Sequence, residues 1–134
     1  MTSITIPSSV ATVGSYSFFN CAGLVSATIE NQVLGDRMFY ECANLESVIF
    51  QNDIYSIPDS CFYKCSKLYL ITIPNSVTVI GMYAFRDCTS LTTIDIPSGV
   101  TTIGSAAFAG CTNLQNITVR AITPPSMSAS SIPS

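Results

Sequence analysis

Histidine and tryptophan are absent from this chain of 134 residues, and only 10% of its residues are charged. An average soluble chain carries about 25%. Without histidine the commonest general base and metal ligand is missing. No C-x-x-C pair occurs, so the close clustering of Cys and His that a zinc site needs is absent too. The five cations, Arg37, Lys64, Lys67, Arg86 and Arg120, form no basic run, and the net charge is −3. That argues against nucleic acid as the main partner. No apolar run approaches the roughly 20 residues that span a bilayer. The N-terminus, MTSITIPSSV, has neither a basic flank nor an apolar h-region, so it does not read as a signal peptide. The eight acids are Glu30, Asp36, Glu41, Glu46, Asp53, Asp59, Asp87 and Asp95; they are dispersed, and no two form a convincing acid/base pair. No Gly-rich loop reads as a phosphate cradle. Neither a catalytic centre, a metal nor a cofactor is expected.

What the chain does have is 48% hydrophobic residues, enough for one domain with a core, and a repeat. LYLITIPNSVTVIGMYAFRDC, from Leu68, is followed 23 residues later by LTTIDIPSGVTTIGSAAFAGC, from Leu91. A period in this range marks a solenoid. Aligned on Phe-x-x-Cys, the chain contains five coils: Phe18 with Cys21, Phe39 with Cys42, Phe62 with Cys65, Phe85 with Cys88 and Phe108 with Cys111. The second coil is two residues short between its strand and its glycine, a deletion that a corner must absorb. A single domain spans 1–134, with a degenerate terminal coil at 119–134 in which Met127 and Ile132 partly fill the repeat slots. The chain starts inside a repeat, at Ile4, so Met1 reads as the start of an excised or mature fragment.

Each coil carries Leu-x-x-Ile-x-Ile or its equivalent, whose period of two predicts a strand. One strand per coil, always in one direction, predicts a parallel sheet along the solenoid. Pro7, Pro74 and Pro97 remove a ladder donor and end their strands. The glycine slot (Gly14, Gly35, Gly81, Gly104) is read as a backbone angle that other residues resist, and Pro58 in that slot predicts a locally different corner. The arc ending in each cysteine suits a short helical turn, with Ser105 as cap and Gly110 as terminator. Five of the six cysteines share one inward slot, which reads as a stack of buried free thiols. Cys61, four residues before Cys65, leaves a bond between those two open. Asn116-Ile117-Thr118 fits a glycosylation acceptor, relevant only to a secreted eukaryotic protein.

By alternation the outward strand face carries Ser47, Ile49, Leu70, Thr72, Thr93, Asp95, Asn116 and Thr118, with Tyr69 beside it. Ile49, Tyr69 and Leu70 stand out because the matching slots elsewhere are mostly Ser, Thr or Asp. An exposed apolar cluster with a polar rim is how a partner site looks, while scattered exposed apolar residues are also normal. The expected role is a non-enzymatic module that engages a protein partner, with those three residues as anchors. The competing reading is a structural spacer without a ligand of its own. Unpaired solenoid ends also allow end-to-end homo-oligomers.

The pattern C-x-x-L-x-x-I-x-I-P-x-S-V-x-x-I-G-x-x-A-F-x-x-C, clearest from Cys65 to Cys111, resembles the BspA-like leucine-rich repeats, also called the Treponema pallidum type. The resemblance covers about residues 4–120. It implies an α/β repeat: a curved leucine-rich-repeat solenoid with one parallel β-sheet on the concave face and short turns or helical arcs on the convex face. It also implies secreted or cell-surface proteins that bind other proteins or host matrix, often in adhesion. It brings no catalytic residues.

Overall fold

In the computed structural model, residues 2–120 and the strand Ser126–Met127 are described. β-branched residues alternating with small polar ones make the strands: β1 (Ser3–Ile6), β2 (Ser26–Ile29), β3 (Ser47–Phe50), β4 (Ser56–Ile57), β5 (Leu70–Ile71), β6 (Val79–Ile80), β7 (Thr93–Ile96), β8 (Thr102–Ile103), β9 (Asn116–Val119) and β10 (Ser126–Met127). All pair in parallel. The predicted strand of each coil forms at the predicted place. The sheet they build is not continuous, however: β1-β2-β3-β5 form one ladder and β7-β9 another.

Proline explains much of this. After β2, β3 and β9 the next residue donates its N–H to the preceding coil: Glu30 to Ile6 (2.9 Å), Gln51 to Ile29 (2.9 Å) and Arg120 to Ile96 (3.0 Å). Pro74 and Pro97 occupy the same slot and have no N–H to give. β5 shrinks to two residues, and no pairing joins it to β7 among the described residues.

A second parallel sheet, in the order β10-β8-β6-β4, corrects the expectation of one strand per coil. Its strands end in Ile57, Ile80 and Ile103, all buried. The short second coil contributes no strand to it. There the amide of the buried Asn31 donates to the Val33 carbonyl and holds a tightened corner. Of the expected terminal coil, Met127's side chain and Ile132 lie outside the described residues.

The arcs contain no helix, which corrects the expected helical turns, with Ser105 and Gly110 as their ends. Each arc instead places two residues in the left-handed region, five and one positions before its cysteine. They are Tyr16 and Asn20, Arg37 and Glu41, Ser60 and Lys64, Tyr83 and Asp87, and Ala106 and Gly110. Nine of these ten are not glycine. That conformation costs roughly 1–2 kcal/mol per residue. It turns alternate N–H groups along the solenoid onto the next coil: Lys64 to Arg86 (2.8 Å), Phe62 to Ala84 (2.8 Å) and Ser60 to Met82 (2.8 Å). Neighbouring coils repeat these bonds, and hydrogen bonding between coils offsets the backbone strain.

The glycine slot also needs correction. None of Gly14, Gly35, Gly81 and Gly104 has a positive φ. Gly35, Gly81 and Gly104 are glycine because coils stack there backbone to backbone. A Cβ on Gly104 would lie 2.4 Å from the Met82 nitrogen, and one on Gly35 would lie 2.4 Å from the Gly14 oxygen.

Inside, the phenylalanines form a ladder. Ring centroids of Phe18, Phe39, Phe62, Phe85 and Phe108 follow one another at 5.5, 5.6, 5.3 and 5.2 Å, with interplanar angles of 16° or less. Beside it runs a thiol ladder. The Sγ of Cys42, Cys65, Cys88 and Cys111 donates to the carbonyl of Phe18, Phe39, Phe62 and Phe85 at 2.9, 3.2, 3.1 and 3.0 Å. Cysteine recurs because it is at once a small apolar filler and a weak donor aimed at the coil below.

Candidate partner-binding surface

The alternation that buries Val48, Ile71 and Ile94 turns their neighbours outward. Ile49, Tyr69 and Leu70 are 52%, 57% and 50% exposed. Thr72, Thr93, Asp95, Asn116 and Thr118 are exposed as well, and Ser47 is half-buried. In the β3–β5 pairing Ser47 faces Leu70 directly, which makes Ile49 the diagonal neighbour of Leu70 on the same face. Beyond Ile71 the ladder stops, and β3 and the chain after β5 are no longer hydrogen-bonded as strands. A cleft of about 370 Å³ opens there, lined by Ile49, Phe50, Asn52, Asp53, Leu70 and Thr72 among others.

The expected site residues therefore fall into two groups. Ile49, Leu70 and Thr72 line the cleft, Tyr69 precedes Leu70 in the chain, and Ser47 precedes Val48, which lines the cleft too. Thr93, Asp95, Asn116 and Thr118 belong to the separate β7–β9 ladder, in which Thr93 faces Asn116 and Asp95 faces Thr118. Asp95 is already engaged: the Arg120 Nε–H donates to both its carboxylate oxygens, at 2.8 and 2.9 Å. Sequence reasoning missed Phe50, Asn52 and Asp53 as lining residues. The available signal was Pro74, whose missing N–H forecasts a gap in the ladder.

The polar residues outside the strands have a further task. Asn44, Asn52 and Asn113 donate to carbonyls one coil back, those of Ala22, Glu30 and Thr89, at 2.6–2.7 Å. Thr89 and Thr101 do the same to Ser66 and Thr78 at 3.2 Å. These Asn and Thr side chains tie each coil to the one before it.

All six cysteines are free, so Cys61 and Cys65 are not bonded. Burial pushes Cys42 and Cys111 up to about 11. It raises Cys61, Cys65 and Cys88 well above the ordinary thiol range. The reactive thiolate is therefore suppressed at these five positions. Iodoacetamide at neutral pH should modify the half-buried Cys21 and spare the other five in the native protein, read by intact-mass spectrometry. Rapid uptake of several labels would contradict the buried ladder. The sign of the pH dependence follows. The native state keeps protons that the unfolded chain releases above about pH 8.5, so stability falls as pH rises from there. That fall continues through about 11, the value for Cys42 and Cys111. Calorimetric melting should show the decline, and Cys42→Ala with Cys111→Ala should make it shallower, the remainder coming from Cys61, Cys65 and Cys88.

No group of three or more His, Cys, Asp or Glu could hold a metal ion among the described residues. No described helix is long and apolar enough to cross a membrane.

The family model for the BspA type leucine-rich repeat region matches residues 1–115 in six copies. The fold is similar to that of a leucine-rich repeat protein from Bacteroides ovatus, at 38% identity and a TM-score of 0.82 over 95% of this chain. A leucine-rich cell surface protein from Faecalibacterium prausnitzii is 31% identical, with a TM-score of 0.70 over 93% of the chain. A leucine-rich repeat protein from T. pallidum shares the fold, at 23% identity and a TM-score of 0.77, over 88% of this chain and 70% of its own. The chain spans 32% of the length of the B. ovatus protein and 40% of that from F. prausnitzii. No curated protein matches in sequence.

Proposed function

Because the chain belongs to the BspA-type leucine-rich repeat family, we propose that it is a non-enzymatic recognition module of a secreted or cell-surface protein, binding a protein partner through its strand face. The observation that carries this reading is the cleft where β3 and β5 part, flanked by exposed Ile49, Leu70 and Tyr69. An apolar anchor entering a cleft with a polar rim is how binding energy concentrates in protein interfaces. Thr72 and Asn52 offer hydrogen bonds at that rim. The description of the F. prausnitzii relative as a cell surface protein supports the location. Adhesion to a host protein is the form of recognition that suits such a location.

The double variant Tyr69→Ser, Leu70→Ser tests the assignment. Both side chains are half or more exposed, so the melting temperature should stay within a few degrees. Affinity for the partner should fall at least about 30-fold if both are anchors. Loss of fold and binding together would remove the assignment. The spacer reading is favoured by the strict recurrence of the inward Leu, Ile, Val, Phe and Cys positions in the coils from Leu68 to Cys111. Deleting one 23-residue coil from the full-length protein separates the two: a spacer tolerates it and a recognition face does not.

A further inference from the structure

The arc surface gathers residues that lie far apart in the chain. Five positions before the cysteines stand Tyr16, Arg37, Ser60 and Tyr83; two positions before stand Phe19, Tyr40, Tyr63 and Arg86. The two columns run side by side along the solenoid. Tyr40 and Tyr63 stack at 4.5 Å, Arg37 sits 5.6 Å from the Tyr16 ring centroid and Arg86 sits 5.4 Å from that of Tyr83. Ser60 is buried and small where the same slot in neighbouring coils carries Arg37 and Tyr83. A cleft of about 230 Å³ results, lined by Arg37, Tyr40, Ser60, Tyr63, Tyr83 and Arg86.

Two guanidiniums at this cleft have donors to spare. Arg37 has no carboxylate or other side-chain acceptor among the described residues, only its contact with the Tyr16 ring. The Nε–H of Arg86 is buried without a hydrogen-bond partner. The Asp87 carboxylate forms an ion pair with it at 3.7 Å but stands too far away to accept a hydrogen bond. A buried donor left without an acceptor is costly, and a carboxylate is the group that takes paired N–H bonds from a guanidinium. Next to the cleft, Tyr16 and Phe19, each 48% exposed, pack against Tyr40 at 6.0 and 5.8 Å. They form an apolar ledge.

We propose that this cleft is a second recognition site, for an acidic peptide segment of a protein partner. An Asp or Glu carboxylate is held between Arg37 and Arg86, and a neighbouring apolar side chain rests on the Tyr16–Phe19–Tyr40 ledge. The cleft is poorly made for a sugar ring. Tyr40 and Tyr63 cover one another, Lys64 lies 5.5 Å over the Tyr63 ring and Arg86 lies over Tyr83. Each tyrosine ring inside thus already has a face covered. The site shares no lining residue with the cleft on the strand face, so it stands or falls apart from the function proposed above.

The test is calorimetric titration of the whole chain with a capped Leu-Glu-Leu-Glu-Leu peptide, its Gln counterpart and trigalacturonate. Arg37→Gln and Arg86→Gln should each weaken peptide binding about tenfold, while Lys67→Gln, a cation outside the cleft, leaves it unchanged. The Gln peptide should bind at least about tenfold more weakly, and added salt should weaken the Glu peptide. The Arg86 Nε–H resonance should shift on saturation. No binding, equal binding by the Gln peptide, or arginine variants that match Lys67→Gln would overturn the site. Tighter binding of trigalacturonate than of the peptide would overturn the peptide as its occupant.

Discussion

Phe62→Ala should lower stability by about 4 kcal/mol. The ring is fully buried, with Phe39 stacked on one face at 5.6 Å and Phe85 on the other at 5.3 Å. Its removal leaves a cavity that two coils line, and neither can collapse into it without leaving the register fixed by inter-coil hydrogen bonds. In a solenoid, stability is close to a sum over nearest-neighbour interfaces. Phe62 belongs to two such interfaces. Phe18, half-buried, has one phenylalanine neighbour in the ladder, Phe39 at 5.5 Å, and Phe18→Ala should cost about half as much or less. Urea unfolding followed by far-UV circular dichroism measures both. Equal losses at the two positions would mean that stability is not set by coil stacking.

Gly104→Ala should be nearly as damaging, at about 3 kcal/mol, for the opposite reason. A Cβ there would sit 2.4 Å from the Met82 nitrogen and 2.6 Å from the Gly81 carbonyl carbon. Both are main chain, so neither can swing away. Gly81→Ala meets Asp59 and Pro58 in the same manner, at 2.6 Å from the Asp59 nitrogen. Gly14→Ala is the control. Its nearest contact would be the Ser17 hydroxyl at 3.7 Å, because no described coil stacks beneath it. With φ outside the left-handed region, that substitution should be neutral or stabilise by up to about 1 kcal/mol. One slot and one substitution thus give opposite signs, decided by whether a neighbouring coil is present. Thermal melts of the three variants provide the check, and a uniform response would rule out backbone contact as the reason for glycine.

The arcs show why part of the fold escaped the sequence. Phe and Cys three residues apart fit a helical turn, and Ala106-Ala107 strengthens that impression. Yet Tyr83 and Ala106 are left-handed, a state that local propensity assigns to neither. What holds them there is bonding between coils, such as Tyr83 N–H to Ser105 C=O at 3.0 Å, across a separation no local rule sees. The strand face shows both sides of the matter. Exposure of Ile49 and Leu70 followed from alternation alone. The cleft beside them did not, since it depends on β5 ending at Ile71, with Pro74 unable to donate. Arg37 and Arg86 looked scattered because their sequence separation hides two adjacent repeat columns.

By itself, then, the chain determined the repeat, the inward Phe, Cys, Leu and Ile registers and the parallel direction of the strands. These follow from side-chain type at a fixed period, which is a local property. Tertiary structure decided that glycine serves close stacking and not a special angle, and that the thiols donate to carbonyls of the preceding coil. It decided too that the arcs are left-handed turns, that the strands form interrupted ladders, and that two clefts open on the surface. Each of these depends on the backbone of a neighbouring coil, whose hydrogen bonds and contact distances exist only once coils stack.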